Sequence, residues 1–328
     1  MSAADVIVVG AGALGLAAAA ALRARGREVV VLAPDGNSAS RVAAGMLAPA
    51  FESVLEGLSA ADAAILRRAG DLWDDFAEAH GVVVRRDGAE WRGSEPSAMA
   101  ARLQTLGFAT TDDAGRIVVP DEAWLRPDQA LGALGQGLRR VAGRLARLEG
   151  RAGQWRLTTQ AGAVLQARQV VLATGWARLD CGVELPPIQP IRGQAVVVSG
   201  HAPARVVRGD GIYVVPQAGG AILGATMEVG RSDLVPDPAV SELLMDRAGA
   251  ICPELAGARI ERVSVGVRGA SPDGWPYAGA LQPGLAVALA PRRNGWLLAP
   301  MVAGLVADAL EDCDPGVVPS ILHPGRFA

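Results

Sequence analysis

Short apolar runs alternate with longer stretches of helical character along much of the chain. Residues 6–9 and 29–32 are uninterrupted apolar runs, and the segment between them is rich in Ala and Leu, as a buried helix would be. Residues 170–173 and 285–289 are two further apolar runs of strand length. Uninterrupted runs of this kind are typical of parallel strands that are covered on both faces. The pattern therefore predicts an α/β layer around a parallel sheet.

Amphipathic helices are predicted where apolar stripes follow residues that begin helices. Ser59 with Asp62 three residues later is typical of a helix start, and Gly81 of a helix end. Pro127 suits the first position of a helix whose apolar stripe continues to Val141. Further helices are predicted over residues 97–106 and 239–251, and a last one from near residue 295 to about residue 310.

From residue 186 onward the pattern changes to short strands between Gly-rich and Pro-rich turns. Strands are predicted over residues 191–198, 212–215, 221–224 and 260–268, an arrangement typical of an antiparallel sheet. The predicted fold class is therefore α/β, or more fully α+β with two domains. A Rossmann-like domain would comprise residues 1–80, 125–180 and 285–328, and an antiparallel-sheet domain residues 81–124 and 181–284.

The turn after the first apolar run carries the spacing Gly10, Gly12 and Gly15. Between a strand and a helix, such glycines permit a tight turn, close approach of a pyrophosphate and close packing of the helix on the strand. The helix N-terminus then offers amide donors to the anion. Thr174 and Gly175 follow a later apolar run and would lie near the same phosphates, because the sheet returns beneath the cofactor there. The pattern predicts a dinucleotide site.

The motif leaves the identity of the dinucleotide open. At the end of the second strand this fold normally has an acidic residue that binds the ribose hydroxyls, but here Ala33 stands there, with Asp35 two residues further on. Either Asp35 reaches back, or backbone and water hold the ribose. The loop has no basic residue before Arg41, so a 2′-phosphate would lack a partner and NADP is disfavoured. FAD and NAD remain.

The small residues of segment 37–50 allow two interpretations. The segment shows neither helical nor strand periodicity, which is consistent with a tight loop. Alternatively, Ser40, Ala44, Gly45 and Met46 allow a flat cofactor ring to lie against the backbone.

Composition argues against several classes of function. Half of the 328 residues are hydrophobic, and the net charge of −3 without a Lys/Arg cluster gives no electrostatic field for nucleic acid. The longest apolar run, residues 11–22, is too short to span a bilayer. Cys181, Cys252 and Cys313 are far apart and the histidines are isolated, which argues against a metal site. Reduced thiols and a cytoplasmic location are expected, and a homo-oligomer is one of the states left open.

Several separated motifs agree with one family. They are GAGALG at 10–15, AAGMLAP at 43–49, VLATG at 171–175, PIRGQ at 190–194, YVVPQAGGAILGATME at 213–228, GVRGASPDGWPYAG at 266–279 and RNGWLLAP at 293–300. With these motifs the chain resembles, over nearly its whole length, the D-amino-acid oxidase and glycine oxidase superfamily of flavoproteins, and in particular the ThiO-type glycine oxidases of thiamine biosynthesis. The resemblance implies that the dinucleotide is non-covalently bound FAD, in a Rossmann-like FAD-binding domain beside an antiparallel-sheet substrate domain.

The resemblance and the glycine motif together give a set of predicted FAD-binding residues. Leu145 is similar to a family position whose backbone meets the adenine, and residues 291–297 would lie along the isoalloxazine. The full set is Gly10, Gly12, Ala13, Leu14, Gly15, Ala33, Pro34, Asp35, Ser40, Ala44, Gly45, Met46, Leu145, Thr174, Gly175, Pro291, Arg292, Arg293, Asn294, Gly295, Trp296 and Leu297.

Three residues match family positions at the substrate. Arg268 matches the arginine that binds the substrate carboxylate, Tyr213 the tyrosine beside it, and Arg293 a second arginine. A guanidinium group offers a planar, permanently charged, bidentate partner to a carboxylate. The alternative for Arg268 is a surface or structural ion pair, although its place at a strand end favours the substrate role, and the alternative for Tyr213 is a packed strand residue.

The chain departs from the family pattern at two further places. Ala290, Pro291 and Arg292 stand where the family has Gly-His-aromatic, and Gln217 stands where the family has an arginine after Val-Pro. We expect an altered pocket rim and, because Ala33 replaces the acidic ribose partner, a modest FAD affinity.

The resemblance implies oxidation of glycine or a similar small amino acid by hydride transfer to flavin N5. The products would be the imine or glyoxylate, ammonia and H2O2, with O2 as oxidant and a thiazole synthase as a partner. The alternatives are a dehydrogenase of amines or D-amino acids that uses another electron acceptor, an oxidase of N-substituted glycines, and a non-catalytic flavin-binding subunit.

Overall fold

In the computed structural model, which describes residues 4–36, 38–113, 115–177, 182–311 and 319–327, eight of the described strands form one mixed sheet. These strands are β1 (Ala4–Val9), β2 (Val29–Ala33), β9 (Arg139–Ala142), β10 (Leu145–Arg151), β11 (Gln154–Thr159), β12 (Val164–Leu172), β19 (Tyr277–Gln282) and β20 (Leu285–Leu289). Strands β9, β2, β1, β12 and β20 are parallel in this order, while β10, β11 and β19 pair antiparallel. The predicted parallel sheet is confirmed.

Nine of the described strands form a second sheet, and three short ones a third. The second sheet contains β5 (Ala89–Trp91), β6 (Thr111–Asp113), β7 (Arg116–Val119), β13 (Gln189–Ser199), β14 (Val206–Gly209), β15 (Ile212–Gln217), β16 (Gly220–Gly224), β17 (Glu228–Val229) and β18 (Arg259–Ala270). The third contains β3 (Met46–Leu47), β4 (Val84–Arg85) and β8 (Ala123–Leu125). The second sheet is antiparallel except where β14 pairs with β5.

The helices cover both large sheets. They are α1 (Ala13–Ala24), α2 (Ala39–Val42), α3 (Pro49–Leu55), α4 (Ala60–Asp71), α5 (Trp73–His80), α6 (Pro96–Thr105), α7 (Pro127–Leu134), α8 (Pro238–Ile251) and α9 (Ala299–Leu310), with short 3₁₀ turns at Pro253–Leu255 and Ser320–Leu322. Helices α1 and α9 pack together over the first sheet. Helix α8 covers the second sheet, as predicted.

Alternation along β1 explains why residues 6–9 are apolar at every position. Val6 and Val8 face the core beneath α1 and α9, whereas Ile7 and Val9 face a second core with Trp155. Successive strand residues point to opposite faces, so a sheet buried on both sides needs an apolar residue at every position. Each fully buried side chain of this size contributes about 1.5–3 kcal/mol.

Three helix predictions need correction. The helix expected over residues 59–81 is two helices, α4 and α5, which meet at Leu72. Helix α7 ends at Leu134 and does not continue to Val141, because residues 139–142 form β9. Gly137 in this stretch has a φ of 72°, which an α-helix does not allow, and pairing with β2 overrides the helical pattern. The last helix begins at Ala299 and not near Gly295.

Two segment predictions also differ from the structure. Segment 37–50, expected to lack regular structure, contains α2 and β3, and α3 begins at Pro49. Strand β19, which lies within the predicted substrate-domain segment 181–284, pairs with β20 in the first sheet. Its hydrogen bonds to β20 place β19 in the first sheet. The sequence does not reveal this, because an antiparallel hairpin is also what the predicted antiparallel-sheet domain would contain. The division into two domains otherwise stays a prediction.

Candidate active site

The glycine motif lies in the turn between β1 and α1, as predicted. Gly10 has a φ of 120°, and a Cβ atom there would lie 2.2 Å from the carbonyl oxygen of Ala173. A Cβ atom on Gly15 would lie 2.2 Å from the carbonyl oxygen of Gly10. Any side chain at either position would therefore push α1 away from the ends of β1 and β12. Gly12 is the N-cap of α1 and has no side chain to cap the helix.

Two hydroxyl groups meet at this turn. Ser40 Oγ accepts a hydrogen bond from the backbone N–H of Ala13 at 2.9 Å, and Ser40 O accepts one from Trp296 Nε1 at 3.1 Å. Thr174 Oγ1 is buried and has no hydrogen-bond partner among the described residues. Buried hydroxyl groups are normally satisfied, so Thr174 is consistent with a polar group of a ligand beside it. The first-turn amides of Leu14 and Gly15 have no acceptor within α1, which suits a pyrophosphate.

The predicted ribose and adenine positions come together at the end of β2. Ala33 is buried, and its carbonyl oxygen accepts a hydrogen bond from Gly143 N at 3.1 Å, which brings the start of β10 at Leu145 beside it. Pro34 and Asp35 follow Ala33 and are exposed. Of the three residues 33–35 predicted to lie at the ribose, Asp35 is the one with a carboxylate side chain.

Residues 44–46 lie on the other side of the site. Gly45 accepts a hydrogen bond from Leu125 N at 2.9 Å, and Met46 pairs with Trp124 in the third sheet. Ala44 is buried. Residues 46–47 are thus a short strand that pairs with β8, and the hydrogen bond from Leu125 fixes Gly45 before it.

Residues 291–297 form a chain of turns before α9. Arg292 N donates to Gly269 O at 2.9 Å, and Pro291 is bridged to Ala270 at the end of β18. On the other side, Trp73 Nε1 lies 3.2 Å from the carbonyl oxygen of Trp296 and 3.1 Å from that of Leu297. The segment is therefore fixed between the second sheet and the helices, and it lies next to the strand that carries Arg268.

Arg268 and Tyr213 lie across glycines on one face of the second sheet. A Cβ atom on Gly193 would lie 2.3 Å from Arg268 Nη1, and one on Gly224 would lie 2.6 Å from the Tyr213 hydroxyl oxygen. Gly224 is directly opposite Tyr213 in the β15–β16 pair. Tyr213 thus extends over its direct cross-strand partner Gly224, whereas Arg268, which is opposite Ile191, extends over its diagonal neighbour Gly193.

Arg268 is partly buried and lacks a carboxylate partner among the described residues. Its Nη1 atom lies 3.3 Å from the carbonyl oxygen of Thr226 and 3.4 Å from Met227 Sδ. Burial lowers the pKa of its guanidinium group, and the neighbouring Arg293 acts in the same direction. A partly desolvated cation without a counter-ion favours binding of an anion.

Arg293, in contrast, is held by two glutamates of α3 and the residue after it. Arg293 Nη2 lies 3.1 Å from Glu52 Oε1, Arg293 Nη1 lies 3.1 Å from Glu56 Oε1, and Glu56 also pairs with Arg292. Arg208 Nη2 approaches the same Glu52 oxygen at 2.8 Å. Burial raises the pKa of Glu52, but Arg208 and Arg293 outweigh it, so the pKa is lowered and Glu52 is ionised.

Glu122 is a further buried carboxyl group behind α3. Its Oε1 atom accepts a hydrogen bond from Phe51 N at 2.8 Å. Burial raises its pKa to about 8, against the opposing effect of Arg208. Glu122 is therefore protonated at neutral pH and adds no charge to the site.

Sequence reasoning missed Glu52, Glu56, Arg208 and Glu122. One signal was present: Asp210-Gly211 is typical of a tight hairpin turn, and such a turn places Arg208 beside Tyr213 across the strands. The spacing of Glu52 and Glu56 puts both on one helix face, but nothing in the sequence links that face to residues 292–293.

The described residues also bear on what a metal site or a membrane span would require. Within the described ranges, no cluster of His, Cys, Asp or Glu side chains is suited to a metal ion, and no helix has the length and apolar character needed to cross a bilayer. Cys252 is a free, buried thiol, whereas Cys181 and Cys313 lie outside the described residues.

Comparisons with known proteins agree with this geometry. The model of the DAO family, described as FAD dependent oxidoreductase, matches residues 5–309. The chain is 30% identical over 98% of its length to the bifunctional protein ThiO/ThiG of Nostoc sp., and 34% identical over 51% of its length to a glycine oxidase of Pseudomonas putida. It spans about half the length of these curated relatives, 55% and 48% respectively.

A solved structure gives the same fold. The glycine oxidase from Geobacillus kaustophilus superimposes with a TM-score of 0.82 over 100% of both chains, at 24% identity. This likeness supports the α/β fold class with an antiparallel second sheet. The family match covers most of the chain, so the chain belongs to the DAO family of FAD-dependent oxidoreductases, and FAD is its cofactor.

Proposed function

We propose that the protein oxidises the free amine of glycine or another small amino acid, with Arg268 as the group that binds the substrate carboxylate. The observation that carries the proposal is the lack of a carboxylate partner for Arg268 among the described residues, since the other guanidinium groups nearby have one. The glycine oxidase of Pseudomonas putida among the relatives supports the choice of substrate.

The roles of the side chains follow from their positions. Arg268 would orient the substrate by two parallel hydrogen bonds, and Tyr213 would limit the space beside the carboxylate. FAD, when bound, would supply the hydride acceptor for the substrate α C–H and would be reoxidised by O2, so that glycine, O2 and water would give glyoxylate, ammonia and H2O2. Proximity and orientation provide most of the rate, and no side chain is assigned as a general base.

The FAD-binding residues are proposed on the same footing. Gly10, Gly12 and Ser40 would hold the pyrophosphate at the N-terminus of α1. Residues 44–46 and 291–297 would lie on either side of the isoalloxazine. Arg293, fixed by Glu52 and Glu56, would border the substrate without binding its carboxylate.

Two further elements complete the proposal. The relative from Nostoc carries the name ThiO/ThiG, so we place the activity in thiamine biosynthesis, with a thiazole synthase as the partner that receives the product. Burial raises the pKa of the Cys252 thiol to about 12, which keeps it unreactive and fits a cytoplasmic protein with reduced thiols.

An anaerobic titration of the yellow holoenzyme tests the function. The absorbance band of oxidised flavin at about 450 nm is followed while amines are added in turn. These are glycine, sarcosine, D-alanine, L-proline and an amine without a carboxylate. We expect glycine to bleach the flavin absorbance. On admission of air the absorbance should recover and H2O2 should be produced. Bleaching without oxygen uptake would indicate a dehydrogenase. Failure of every amine to bleach the flavin would contradict catalysis and favour a flavin-binding subunit.

A further inference from the structure

The charge distribution around Tyr213 has one feature that the proposed function does not use. Arg208, Arg268 and Arg293 all act on the pKa of the Tyr213 phenol, which they hold down against the larger, raising effect of burial. Their positions agree with this, because Arg208 is opposite Tyr213 in the β14–β15 pair, Arg208 and Arg293 share the carboxylate of Glu52, and Arg268 lies on the same sheet face as Tyr213. A single amino-acid carboxylate needs only one of them.

Glu52 accounts for the other two. Its Oε1 atom lies 2.8 Å from Arg208 Nη2 and 3.1 Å from Arg293 Nη2, and its Oε2 atom lies 3.1 Å from Arg293 Nε. Glu56 adds a second partner for Arg293 at 3.1 Å. Within the described part of the chain, Arg268 is left as the member of this trio without a carboxylate.

Burial makes this arrangement selective. Glu52 is 4% exposed and Arg208 is 2% exposed, so their charges are poorly screened by water. A second carboxylate on a substrate would meet the ionised Glu52 near Arg293 and would find no free guanidinium. Like-charge repulsion in such a site is costly, and a repulsive group built against one ligand is a recognised source of specificity.

We propose that Glu52 is a specificity-determining residue, which neutralises Arg208 and Arg293 so that the pocket accepts amino acids with one carboxylate and rejects dicarboxylate amines. This inference rests on the proposed function, because it assumes that Arg268 binds the substrate carboxylate. It concerns a different side chain and a different observable.

The test uses two non-oxidisable ligands of similar size, propionate and malonate. Each is titrated into the holoenzyme at constant ionic strength, and binding is read from the perturbation of the flavin absorbance. In the unmodified protein we expect propionate to bind at least about tenfold more tightly than malonate. In Glu52→Gln, Arg208 loses its carboxylate partner and Arg293 keeps only that of Glu56, so the malonate-to-propionate affinity ratio should rise about tenfold. Adding Arg293→Met to this variant should abolish the gain.

Glu90→Gln is the matched control. Glu90 is also 4% exposed and is ion-paired with Arg92. Its neighbour Trp91 is opposite Arg208 and shares its face of the sheet, so the Glu90 side chain points to the other face. The affinity ratio in Glu90→Gln should equal that of the parent. A ratio that is also unchanged in folded, yellow Glu52→Gln would overturn the proposal.

The unmodified protein decides the matter if Glu52→Gln does not retain FAD. Malonate binding as tight as that of propionate in the parent would overturn the role of Glu52. Absence of any propionate binding would instead contradict the carboxylate site at Arg268, and with it the proposed function. The two failures are therefore distinguishable, and neither depends on turnover.

Discussion

Single residues determine which guanidinium group of the candidate site has a carboxylate partner and which has none among the described residues. Arg268 contacts neutral atoms, whereas Arg208 and Arg293 share the carboxylate of Glu52. The same residue type thus has two roles, and the partner decides which. A glutamate can likewise be ionised or protonated, as Glu52 and Glu122 show, according to whether a cation offsets the cost of burial.

Replacing Arg268 tests the carboxylate site directly. In Arg268→Ala the substrate carboxylate would be desolvated without a partner, a loss of roughly 3 to 5 kcal/mol, or a few hundredfold to a few thousandfold in kcat/KM. FAD content should stay the same. Arg268→Lys should recover only part of the activity, because an ammonium group cannot form two parallel bonds. Glycine turnover within about threefold of the parent, or loss of the flavin, would show that Arg268 is structural.

Ala33→Glu is expected to tighten FAD binding. A glutamate there restores an acceptor for the ribose hydroxyls, and a hydrogen bond to a charged group contributes on the order of 1.5 to 3 kcal/mol. The FAD dissociation constant would be measured by fluorescence titration of the apoprotein, with Ala33→Gln as the uncharged control. An unchanged or larger constant would mean that Asp35 or water already binds the ribose.

Glu122 makes stability depend on pH. Its pKa is about 8 in the folded protein against an ordinary value of 4.5, so between these values the folded state keeps a proton that the unfolded chain has released. This contribution is fully present below pH 4.5 and is lost as the pH rises through 8. Glu122→Gln cannot ionise, so its free energy of unfolding relative to the parent should rise with pH across this window, by roughly 4 to 5 kcal/mol. Denaturant unfolding at several pH values checks this, and a gap that does not vary with pH would contradict it.

At the scale of elements, the second sheet would form one wall of the proposed substrate site, with glycines where the polar side chains lie. Gly193 and Gly224 stand opposite or beside the positions over which Arg268 and Tyr213 extend. Glu52 in α3 and Glu56 just after it are paired with Arg293 in the turns before α9. The proposed site is therefore bordered by a sheet face with glycines beside its polar groups and by the charged end of a helix.

Gly224→Ala should disturb this wall selectively. Its methyl group would lie 2.6 Å from the Tyr213 hydroxyl oxygen, closer than real Cβ contacts, so the phenol must move away from residue 224. We expect kcat/KM for glycine to fall by about tenfold or more while FAD content is kept. Gly249→Ala in α8 is the control, because no atom lies within 4 Å of its new methyl group. Equal activity of the two variants would show that Tyr213 does not border the substrate.

At the scale of the whole molecule, distant segments are brought to one place by hydrogen bonds between elements. Trp296 donates to Ser40 at 3.1 Å, and Arg292 to Gly269 at 2.9 Å, so the segment before α9 is tied both to α2 and to the second sheet. A ligand bound across these contacts stabilises all of them together.

Removal of FAD should therefore lower the melting temperature of the whole protein in a single transition. With free FAD about a thousandfold above its dissociation constant, linkage predicts about 4 kcal/mol of added stability. Differential scanning calorimetry of the apoprotein with and without FAD measures this. Riboflavin, which lacks the pyrophosphate, is the control and should stabilise much less. Equal melting temperatures with FAD and riboflavin would contradict the phosphate site at the turn of Gly10.

The sequence by itself determined the features that depend on local chemistry. The glycine spacing at 10–15 predicted the turn before α1, the uninterrupted apolar runs predicted the parallel strands, and Ser59 predicted the start of α4. Such features can be predicted from the sequence because a glycine turn, a helix cap and an apolar strand depend on residues within a few positions of one another.

Only the tertiary structure decided which charges meet. Glu52 and Arg208 are 156 residues apart, and Glu52 and Arg293 are 241 apart, and no periodicity connects them. The same holds for β9 and β19, whose partners in the first sheet override their local patterns. Ion pairs and strand partners depend on distances between elements, so they follow from packing, whereas turns and caps follow from the chain alone.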